Sequence, residues 1–563
     1  MTVELAEAVL QLHPGDPVAL ARIELEPGTE LDGGGRHVVI SEPIPRGHKL
    51  ALVDVAAGAE IRKYGQPIGI ATRAIAAGEH VHEHNLRSAA RGPAPAAGEL
   101  TPTSAPDEPG ATPTAAAAPT VRAAPGPAPT PTATAAIAHP ASATSTPATP
   151  TASTTLTERT EIPTFKGFVR PDGRVGTRNY VAVLSSVNCS ATVVRRIAAA
   201  FSAPGALDEH PCVDGVIAVT HGTGCGLSAA GEGLEVLRRT LAGYARHPNV
   251  AAVVVVGLGC EVNQISALTG QFDVPEGTPV RSLVIQELGG SVATVRQGIE
   301  TVRELLPLAG ATPRRPVPAS ALSLGLNCGG SDAWSGVTAN PVLGIAVDRL
   351  VACGGTAILG ETPEIHGAEH LLTRRAASPQ VAEALLERVA WWERYAAAEG
   401  GNLDNNPSPG NRAGGVTTIE EKSLGAVAKG GSSPLQAVYR YADPVTVPGL
   451  VFMDTPGYDP VSVTGIVAGG ATMVCFTTGR GSVFGCKPAP SLKLATTSEL
   501  YRRMGDDMDF NCGTVLDGDA TVSELGDALF AEILAVASGR QTKSEELGFG
   551  DEEFRPWQLG AVM

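Results

Sequence analysis

The sequence lacks the features of membrane-embedded and secreted proteins. It has no run of about 18 uninterrupted apolar residues, the length that a membrane-spanning helix requires. Its first residues have neither the basic start nor the apolar core of a signal peptide. Nine cysteines, an odd number in a chain of 563 residues, do not resemble the disulfide framework of a small secreted domain. These absences predict a cytoplasmic protein with reduced thiols.

Positive charge is also scarce, with 42 Lys and Arg against 58 Asp and Glu and a net charge of −16. A field of this sign repels nucleic acid and anionic membrane surfaces, so neither is an expected partner. A small anionic substrate would need lysines and arginines placed locally. No P-loop occurs, and no GxGxxG opens a strand–helix unit, so nucleotide binding has little support.

Changes in composition divide the chain into parts. Residues 91–160 are dominated by Ala, Pro and Thr and cannot bury enough surface to offset their ordering entropy, which predicts a disordered linker. Residues 1–90 carry short strand-like pieces between Pro/Gly turns, typical of a small all-β module. In 161–310 and 319–563, strand-like runs alternate with helical stretches, which predicts α/β domains with parallel sheets. A Pro-rich segment, 311–318, separates these two domains.

Four cysteines follow short apolar runs of the kind that form buried parallel strands. Ligands of open α/β sheets bind at the carboxyl ends of the strands. Four thiols carried to such edges can converge on one soft metal, and thiolates favour iron or zinc. The spacing is not a CxxC signature, so ordinary loop thiols remain an equal alternative. Three of the four precede the 311–318 break, which predicts a site between two domains. The four are Cys189, Cys225, Cys260 and Cys328.

Acidic and histidine side chains accompany these cysteines. His221 lies four residues before Cys225, and Glu261 follows Cys260 directly. Glu361 and Glu364 follow the predicted strand at 356–359. At strand ends such groups can coordinate metal or transfer protons. Helix capping is the alternative for Glu361, and an ordinary loop histidine is the alternative for His221.

Several glycine-rich loops carry Lys or Arg and suggest anion binding. Backbone N–H groups combined with such side chains make nests for carboxylates or phosphates. Solvated loops with incidental charges are the alternative. The tract His80-Val81-His82-Glu83-His84 resembles a metal tract, although an exposed turn is the preferred interpretation. The loops span 406–415, 421–425, 429–433 and 477–481.

Taken together, these loops resemble the altronate/galactarate dehydratase family. The resemblance covers nearly all of the chain except the linker. Two motifs of the N-terminal module, 45–49 and 63–69, are similar to the SAF (β-clip) domain of that family. The other motifs are 172–179, 257–261, 328–332, 335–341, 406–415 and 477–481.

The resemblance implies an iron-dependent hydro-lyase acting on sugar acids. It also implies a β-clip domain, a second domain that mediates dimerisation of a homodimer, and a C-terminal Rossmann-like domain. Segments 78–82 and 363–369 resemble altronate dehydratases, whereas 331–336 and 536–539 resemble galactarate dehydratases. Altronate is therefore the expected substrate, with galactarate or a related acid as the alternative.

The implied reaction removes water from a 2,3-dihydroxy acid and gives a 2-keto-3-deoxy acid. The resemblance makes Cys189, Cys225, Cys260 and Cys328 the candidate iron ligands, and it makes His221, Glu261 and Glu361 the proton-transfer candidates. A nicotinamide oxidoreductase and a sugar-acid-binding regulatory protein are the rival functions. The expected substrate-binding residues are His48, Lys49, Arg412, Lys422 and Arg480.

Overall fold

The computed structural model describes residues 2–89, 162–560 and 562–563. Three regions follow one another along these residues, and each is built on its own sheets. The predicted linker at 91–160 lies outside these residues. The predicted fold class, a small β module followed by α/β regions with a parallel sheet, is confirmed. Within the described ranges, no helix is both long and apolar enough to cross a lipid bilayer.

The N-terminal module consists of short strands in three small sheets. The sheets have the strand orders β1-β4-β5, β2-β3-β6-β9 and β10-β8-β7. The elements are β1 (Thr2–Glu4), α1 (Leu5–Ala8), β2 (Val9–Leu10), β3 (Val18–Ala21), β4 (Glu30–Gly33), β5 (Arg36–Val39), β6 (Lys49–Ala51), β7 (Glu60–Lys63), β8 (Gln66–Ala71), β9 (His80–Val81) and β10 (Leu86–Arg87).

One turn recurs four times in this module and sets its shape. Leu25 pairs with Ile44, and Val55 pairs with Ile75, as isolated bridges between buried aliphatic residues. A glycine stands three residues after each of the four, with φ angles of 81°, 85°, 77° and 88°. Only glycine adopts this left-handed conformation without strain, so each turn ends at a glycine. Two of the turns lead directly into the segments that carry His48 and His80.

The second region holds a four-stranded parallel sheet with the order β14-β13-β15-β16. Strands β13 and β15 are almost wholly buried because helices cover both faces, which explains their valine-rich sequences. A smaller sheet, β12-β11-β17, places a strand inside the predicted break at 311–318. The elements are β11 (Thr164–Val169), β12 (Val175–Gly176), β13 (Tyr180–Ser185), α2 (Ala191–Ala199), β14 (Gly215–Val219), α3 (Glu232–Ala245), β15 (Val250–Gly257), α4 (Ile265–Thr269), β16 (Val280–Val284), α5 (Ser291–Gly310) and β17 (Arg315–Pro318).

The C-terminal region is built on a seven-stranded parallel sheet with the order β20-β21-β19-β18-β22-β23-β24. The chain starts at the central β18, extends the sheet to one side, and then crosses to β22 on the other side. The elements are β18 (Ser323–Cys328), α6 (Ala339–Ala352), β19 (Thr356–Leu359), α7 (His370–Thr373), α8 (Pro379–Ala398), α9 (Pro409–Ala413), α10 (Ile419–Ala426), β20 (Leu435–Tyr439), β21 (Gly449–Met453), α11 (Asp459–Ala468), β22 (Met473–Thr478), β23 (Ser491–Ala495), α12 (Ser498–Arg503), β24 (Phe510–Asn511), α13 (Thr514–Asp517), α14 (Val522–Ala537) and α15 (Lys543–Glu546).

The N-terminal module and the C-terminal region share one apolar core. Ile61 and Ile68 of the module belong to the same buried cluster as Leu343 and Leu424 of the C-terminal region. The module therefore lies directly against the loops and helices that follow the central strands. In open α/β sheets, ligands bind where the strand order reverses, at the carboxyl ends. Here that point is the end of β18.

Candidate active site

A cluster of buried polar side chains lies at the carboxyl end of β18. Cys328 ends that strand, and Glu361 and Glu364 follow the neighbouring β19. The Cys328 Sγ atom lies 3.5 Å from Glu361 Oε2 and 3.2 Å from Glu364 Oε2. All three residues are at most 2% exposed. We call these three residues the acidic triad.

Two lysines balance part of the negative charge of the acidic triad. Lys429 Nζ lies 2.7 Å from both Cys328 Sγ and Glu361 Oε2. Lys422 Nζ donates to Glu364 Oε1 at 2.8 Å and to Asn406 Oδ1 at 2.7 Å. Both lysines come from the segment around α10, which runs across the ends of the strands. Contacts between ionised groups in so buried a place are far stronger than on the surface.

Burial and these charges shift the titration of the triad. Burial, followed by the neighbouring Glu361 and Glu364, raises the pKa of the Cys328 thiol well above its ordinary value. Burial likewise raises the pKa of Glu361 to about 7, although Lys429 opposes the shift. Burial also opposes the ionisation of Glu364, yet Lys422 and Lys429 hold its pKa below the ordinary value. Neighbouring carboxyls with such different pKa values are typical of catalytic sites.

Glu361 is held in an unusual backbone conformation. Its φ of 66° and ψ of 62° lie in the left-handed region, which costs a residue with a side chain free energy. Its backbone N–H donates to Thr455 Oγ1 at 2.7 Å, which fixes this geometry. Its Oε1 atom is buried and accepts no hydrogen bond from any residue that the structure describes. An unpaired buried carboxylate oxygen is costly, and it suits a position that a ligand would fill.

A third carboxyl group, that of Asp459, lies beside this cluster and is less buried than the other two. Asp459 begins α11, after β21, and is half-buried beside Tyr458, whose exposure is 62%. Asn327, the residue before Cys328, donates to Asp459 Oδ1 at 3.1 Å. Burial, together with Glu361 and Glu364, raises the pKa of Asp459 to about 8. Asp459 therefore unites a raised pKa with access from outside.

The acidic triad is consistent with a metal site. Among the described residues, it is the one group of three Cys, His, Asp or Glu side chains whose ligand atoms all lie within 4.8 Å of one another. The triad offers one thiol and two carboxyls as ligand groups, and the carboxyl of Asp459 lies beside them. A mixed thiolate and carboxylate donor set suits a divalent transition metal. The unpaired Oε1 of Glu361 supplies a further free donor.

The N-terminal module joins the C-terminal region through a second buried cluster. Lys49 Nζ donates to both oxygens of Glu421, at 3.0 and 2.8 Å, and Lys63 Nζ donates to Glu421 Oε1 at 2.9 Å. Burial, opposed by Glu421, lowers the pKa of Lys49 to about 8. The two lysines overcome the effect of burial and lower the pKa of Glu421 to about 2. Glu421 is the neighbour of Lys422, so this cluster anchors the helix that carries an active-site lysine.

Three histidines lie beside that anchor. His48 Nδ1 is 2.9 Å from His80 Nε2, and the ring of His82 stacks on that of His48 with centroids 5.0 Å apart. His48 and His82 point their Nε2 atoms at the backbone carbonyls of Ala413 and Arg412. Burial lowers the pKa of His48 to about 4, so the ring is neutral near pH 7.

The other three predicted thiol ligands lie at the carboxyl edge of the four-stranded sheet. Cys189, Cys225 and Cys260 are exposed free thiols on the loops after β13, β14 and β15. The contacts of Cys328 Sγ are instead with Lys429, Glu361 and Glu364, all in the C-terminal region. Across the described ranges, no thiol joins Cys328 in a compact group of ligand atoms. Iron binding by these thiols stays a prediction.

The predicted proton-transfer residues divide between the two sheet edges. Glu361 belongs to the acidic triad. Glu261 lies at the other edge, where Oε1 accepts from Ser186 Oγ and Oε2 accepts from the Gly259 N–H, each at 2.6 Å. His221 is buried there too, with Nε2 3.0 Å from the Ser185 carbonyl and Nδ1 accepting from the Thr223 N–H. Both side chains hold the thiol-bearing loops in place.

The predicted substrate-binding residues are divided as well. Lys422 lies beside the acidic triad, whereas His48 and Lys49 belong to the junction with the N-terminal module. Arg412 pairs with Glu83 of that module. Arg480 is exposed after β22, and its backbone N–H donates to Gly330 near Cys328. Their contacts with a substrate remain predictions.

Three important residues escaped the sequence analysis as site candidates. Asp459 follows β21, so the strand-end rule that selected Glu361 also applied to it. Glu364 stands three residues after Glu361 and was predicted, like Glu361, to coordinate metal or transfer protons, but it was not chosen as a site residue. Lys429 occurs in a glycine-rich loop, where nothing local distinguishes an active-site lysine from a solvated one. Only the fold brings its ammonium group to Cys328.

Comparison with known families covers all three regions. Residues 7–89 match the altronate/galactarate dehydratase SAF domain. Residues 167–310 match the second domain of D-galactarate dehydratase/altronate hydrolase, and residues 319–562 match the C-terminal domain of D-galactarate/altronate dehydratase. The chain belongs to the altronate/galactarate dehydratase family. The predicted family and enzyme class, a hydro-lyase, are therefore confirmed.

Curated relatives match over almost their full length. An altronate dehydratase from Escherichia coli (strain K12) is 34% identical over 540 residues, 96% of this chain and 97% of the relative. An altronate dehydratase from Bacillus subtilis (strain 168) is 31% identical, with the same coverage of both chains. A galactarate dehydratase (L-threo-forming) from E. coli (strain K12) is 35% identical over 96% of this chain and 95% of the relative.

Proposed function

We propose that this chain dehydrates altronate to a 2-keto-3-deoxy sugar acid at the carboxyl end of β18. The observation that carries the proposal is the buried acidic triad with its two lysines, beside the accessible Asp459. This arrangement combines groups that bind an anion with a group that moves a proton. Elimination of water next to a carboxylate requires both, because the proton on C2 is barely acidic.

Positive charge would hold the substrate. The ammonium groups of Lys422 and Lys429 lie at the same edge and already bind carboxylates of the protein. A sugar-acid carboxylate entering beside Asp459 would meet the Lys422 ammonium, which is the less buried of the two. As negative charge moves onto that carboxylate during proton removal, the interaction with lysine strengthens. Such strengthening is what lowers the barrier.

Asp459 would carry the proton. As a carboxylate it would remove the hydrogen from C2, and as the resulting acid it would return that proton to the hydroxyl leaving C3. The departing hydroxyl and the transferred proton together make the water that is released. The raised pKa of Asp459 makes its carboxylate a stronger base than an ordinary aspartate.

Iron is the metal that we propose for the acidic triad. Cys328, Glu361 and Glu364 would hold the ion, because they are the three ligand-type side chains gathered within 4.8 Å in the described chain. When bound, the ion would act as a Lewis acid that stabilises negative charge on the substrate. Ferrous iron accepts thiolate and carboxylate donors together.

We propose altronate rather than galactarate as the substrate because the segments 78–82 and 363–369 resemble altronate dehydratases. The second of these segments includes Glu364. Identities of 34% and 35% to the two kinds of E. coli relative do not choose between these substrates. The motif at 331–336, which follows Cys328, favours galactarate as the second candidate.

The test is an anaerobic assay with added Fe²⁺ on altronate, galactarate and related acids in parallel. The expected result is loss of altronate with stoichiometric formation of a 2-keto-3-deoxy acid and no nicotinamide oxidation. Turnover of galactarate alone would transfer the proposal to the second candidate. Failure to dehydrate any sugar acid, by protein with metal bound, would contradict it.

We also propose that the protein works in the cytoplasm as a homodimer. The exposed thiols of the second region support a reducing compartment. Exposed apolar side chains on α5, Val292 at 73% and Leu308 at 55%, support a self-contact through that region. Light scattering coupled to size exclusion measures the mass, and a monomer at micromolar concentration would contradict the homodimer.

A further inference from the structure

The N-terminal module lies against one continuous surface of the C-terminal region. That surface is formed by Trp334 and by residues 409–426, which include α9 and α10. We call it the docking surface. The module contacts it with its own strands and turns, and the described part of the module ends at Ala89. The connecting residues 90–161 lie outside the described part of the chain.

The docking surface has an apolar core with an aromatic side chain. Ile61 of the module is fully buried and belongs to the same cluster as Leu424 of α10. Trp334 is 5% exposed and shares a second buried cluster with Leu20 of β3. Gly47 leaves room for the indole, since a Cβ atom there would lie 3.0 Å from Trp334 Nε1. A buried apolar core with an aromatic anchor is typical of stable protein–protein interfaces.

Two buried lysines of the module give the contact its specificity. Besides its bonds to Glu421, Lys49 Nζ donates to the Gly415 carbonyl at 2.7 Å and to Thr417 Oγ1 at 2.8 Å. Lys63 shares the carboxylate of Glu421, and all three charged residues are at most 2% exposed. If the module left, these charges would lose the partners that offset their burial. The docking surface therefore recognises a partner that presents both ammonium groups.

The end of the module is itself bound to the docking surface. Ser88 Oγ donates to Glu420 Oε1 at 2.7 Å, and the Ala89 N–H donates to the same oxygen at 3.0 Å. The connection to the rest of the chain therefore begins beyond a residue that is already held. A covalent connection between two bound partners raises their effective concentration and adds no contact of its own.

We infer that the docking surface is a subunit interface, which binds the N-terminal module as it would bind a separate polypeptide. Residues 90–161 are then not required for the association. The partner that fits is a small β module with an aliphatic face for Leu424 and two lysines for Glu421. This inference does not rest on the proposed function, because it concerns the contact and not the reaction.

The experiment cuts the connection in the folded, full-length protein. The recognition sequence of a site-specific protease is inserted after Ala124, the protein is cleaved, and the product is passed over a size-exclusion column at micromolar concentration. We expect the two pieces to elute together, at the position of the uncut protein. Elution of the wild-type module apart from the remainder would overturn the inference.

A pair of variants on β7 tests the role of the lysines. Dilution of the cut protein until the pieces separate gives a dissociation constant, which Lys63→Gln should raise by about 10²- to 10³-fold. Arg62→Gln, the matched control, alters only an exposed pair with Glu60 and should leave the constant unchanged. Equal constants for the two variants would overturn the assigned recognition.

Two further measurements keep these outcomes distinct. Circular dichroism of the uncut Lys63→Gln protein shows whether the variant folds. If it does not, Thr417→Val takes its place, because it removes one acceptor of Lys49 and should weaken binding about 10-fold. Cut protein that keeps its module yet dehydrates no sugar acid would contradict the proposed function alone.

Discussion

The two parallel sheets of this protein place cysteines at matching positions and surround them differently. At the end of β18, Cys328 is 2% exposed and is packed against two carboxylates and a lysine. At the edge of the four-stranded sheet, the three thiols are exposed, and their loops are joined mainly by backbone and amide groups. The same sequence signal, an apolar run followed by cysteine, therefore leads to two different surroundings for the thiol. What differs is the set of neighbours that the fold supplies.

The neighbours differ because different parts of the chain lie against the two edges. The C-terminal Val562 and Met563 contact the loop of Cys225 but leave its thiol exposed. Helix α10 lies across the first edge and is anchored from behind by Lys49 and Lys63 of the N-terminal module. That cover excludes water and gives the charges of the acidic triad their strength. At the other edge, the three thiols are exposed. The predictions below test this division of roles.

The largest effect is expected from Asp459→Asn, which removes the accessible proton carrier of the covered edge. Turnover of altronate should fall by about 10²- to 10⁴-fold, the usual contribution of a positioned acid–base group. Metal content should stay unchanged, because Asp459 lies outside the acidic triad. Asp519→Asn, on the surface before α14, is the matched control. An Asp459→Asn variant with wild-type kcat would contradict the assignment.

Glu421→Gln tests the ion pairs that hold α10 over the end of β18. Removing one partner of a buried ion pair leaves uncompensated charge, here two lysines, and typically costs about 3–5 kcal/mol. Urea unfolding should show this loss in the free energy of unfolding. Glu546→Gln breaks an exposed pair with Lys543 and should produce no measurable change. Equal free energies of unfolding for the two variants would mean that the ion pairs of Glu421 do not hold α10 in place.

Lowering the pH should weaken the ion pairs of Glu421 with Lys49 and Lys63. The folded-state pKa of Glu421 is about 2, below the ordinary 4.5, so its contribution to stability is complete above pH 4.5. It is lost as the pH falls from 4.5 towards 2, by an amount on the order of 3 kcal/mol. Urea titrations across this range measure the loss. The decline should be smaller in Glu421→Gln; an identical slope in both proteins would assign the acid sensitivity to other groups.

A smaller effect is expected from Lys422→Gln, which removes one charge that would hold the substrate carboxylate. Loss of a charged hydrogen bond of about 1.5–3 kcal/mol corresponds to a rise in KM of about 10- to 100-fold. Steady-state kinetics on altronate measure this rise, together with a fall in kcat because the interaction with Lys422 strengthens during proton removal. Lys487→Gln, which breaks a surface pair with Asp551, is the control. An unchanged KM would place the substrate carboxylate elsewhere.

Much of the architecture follows from local patterns in the sequence. The apolar run 322–327 predicts a buried strand, and Cys328 indeed ends one. The strand predicted at 356–359 is confirmed in full, and Glu361 follows it. The four-turn module is predicted from its Pro/Gly turns. These features could be predicted because each depends on a few consecutive residues. Short aliphatic runs form buried strands, and glycine adopts the backbone conformations that tight turns require.

The site itself depends on contacts that no local pattern reveals. Lys429 reaches Cys328 across 101 positions of sequence, and Lys49 reaches Glu421 across 372. The sequence predicted one metal between four thiols, whereas the fold puts Cys328 among carboxylates and lysines. Sheet order decides this outcome, because Cys328 belongs to a different sheet from the other three. The order of strands is a long-range property of the chain.

The most direct test of the central claim is the fate of the hydrogen on C2 of the substrate. Altronate labelled with tritium at C2 is incubated with wild-type protein and with Asp459→Asn, and the release of tritium into water is followed. The account predicts release at the rate of dehydration by the wild type and none above background by the variant. Release by Asp459→Asn at the wild-type rate would show that another group removes the proton and would contradict the proposed role of the covered edge.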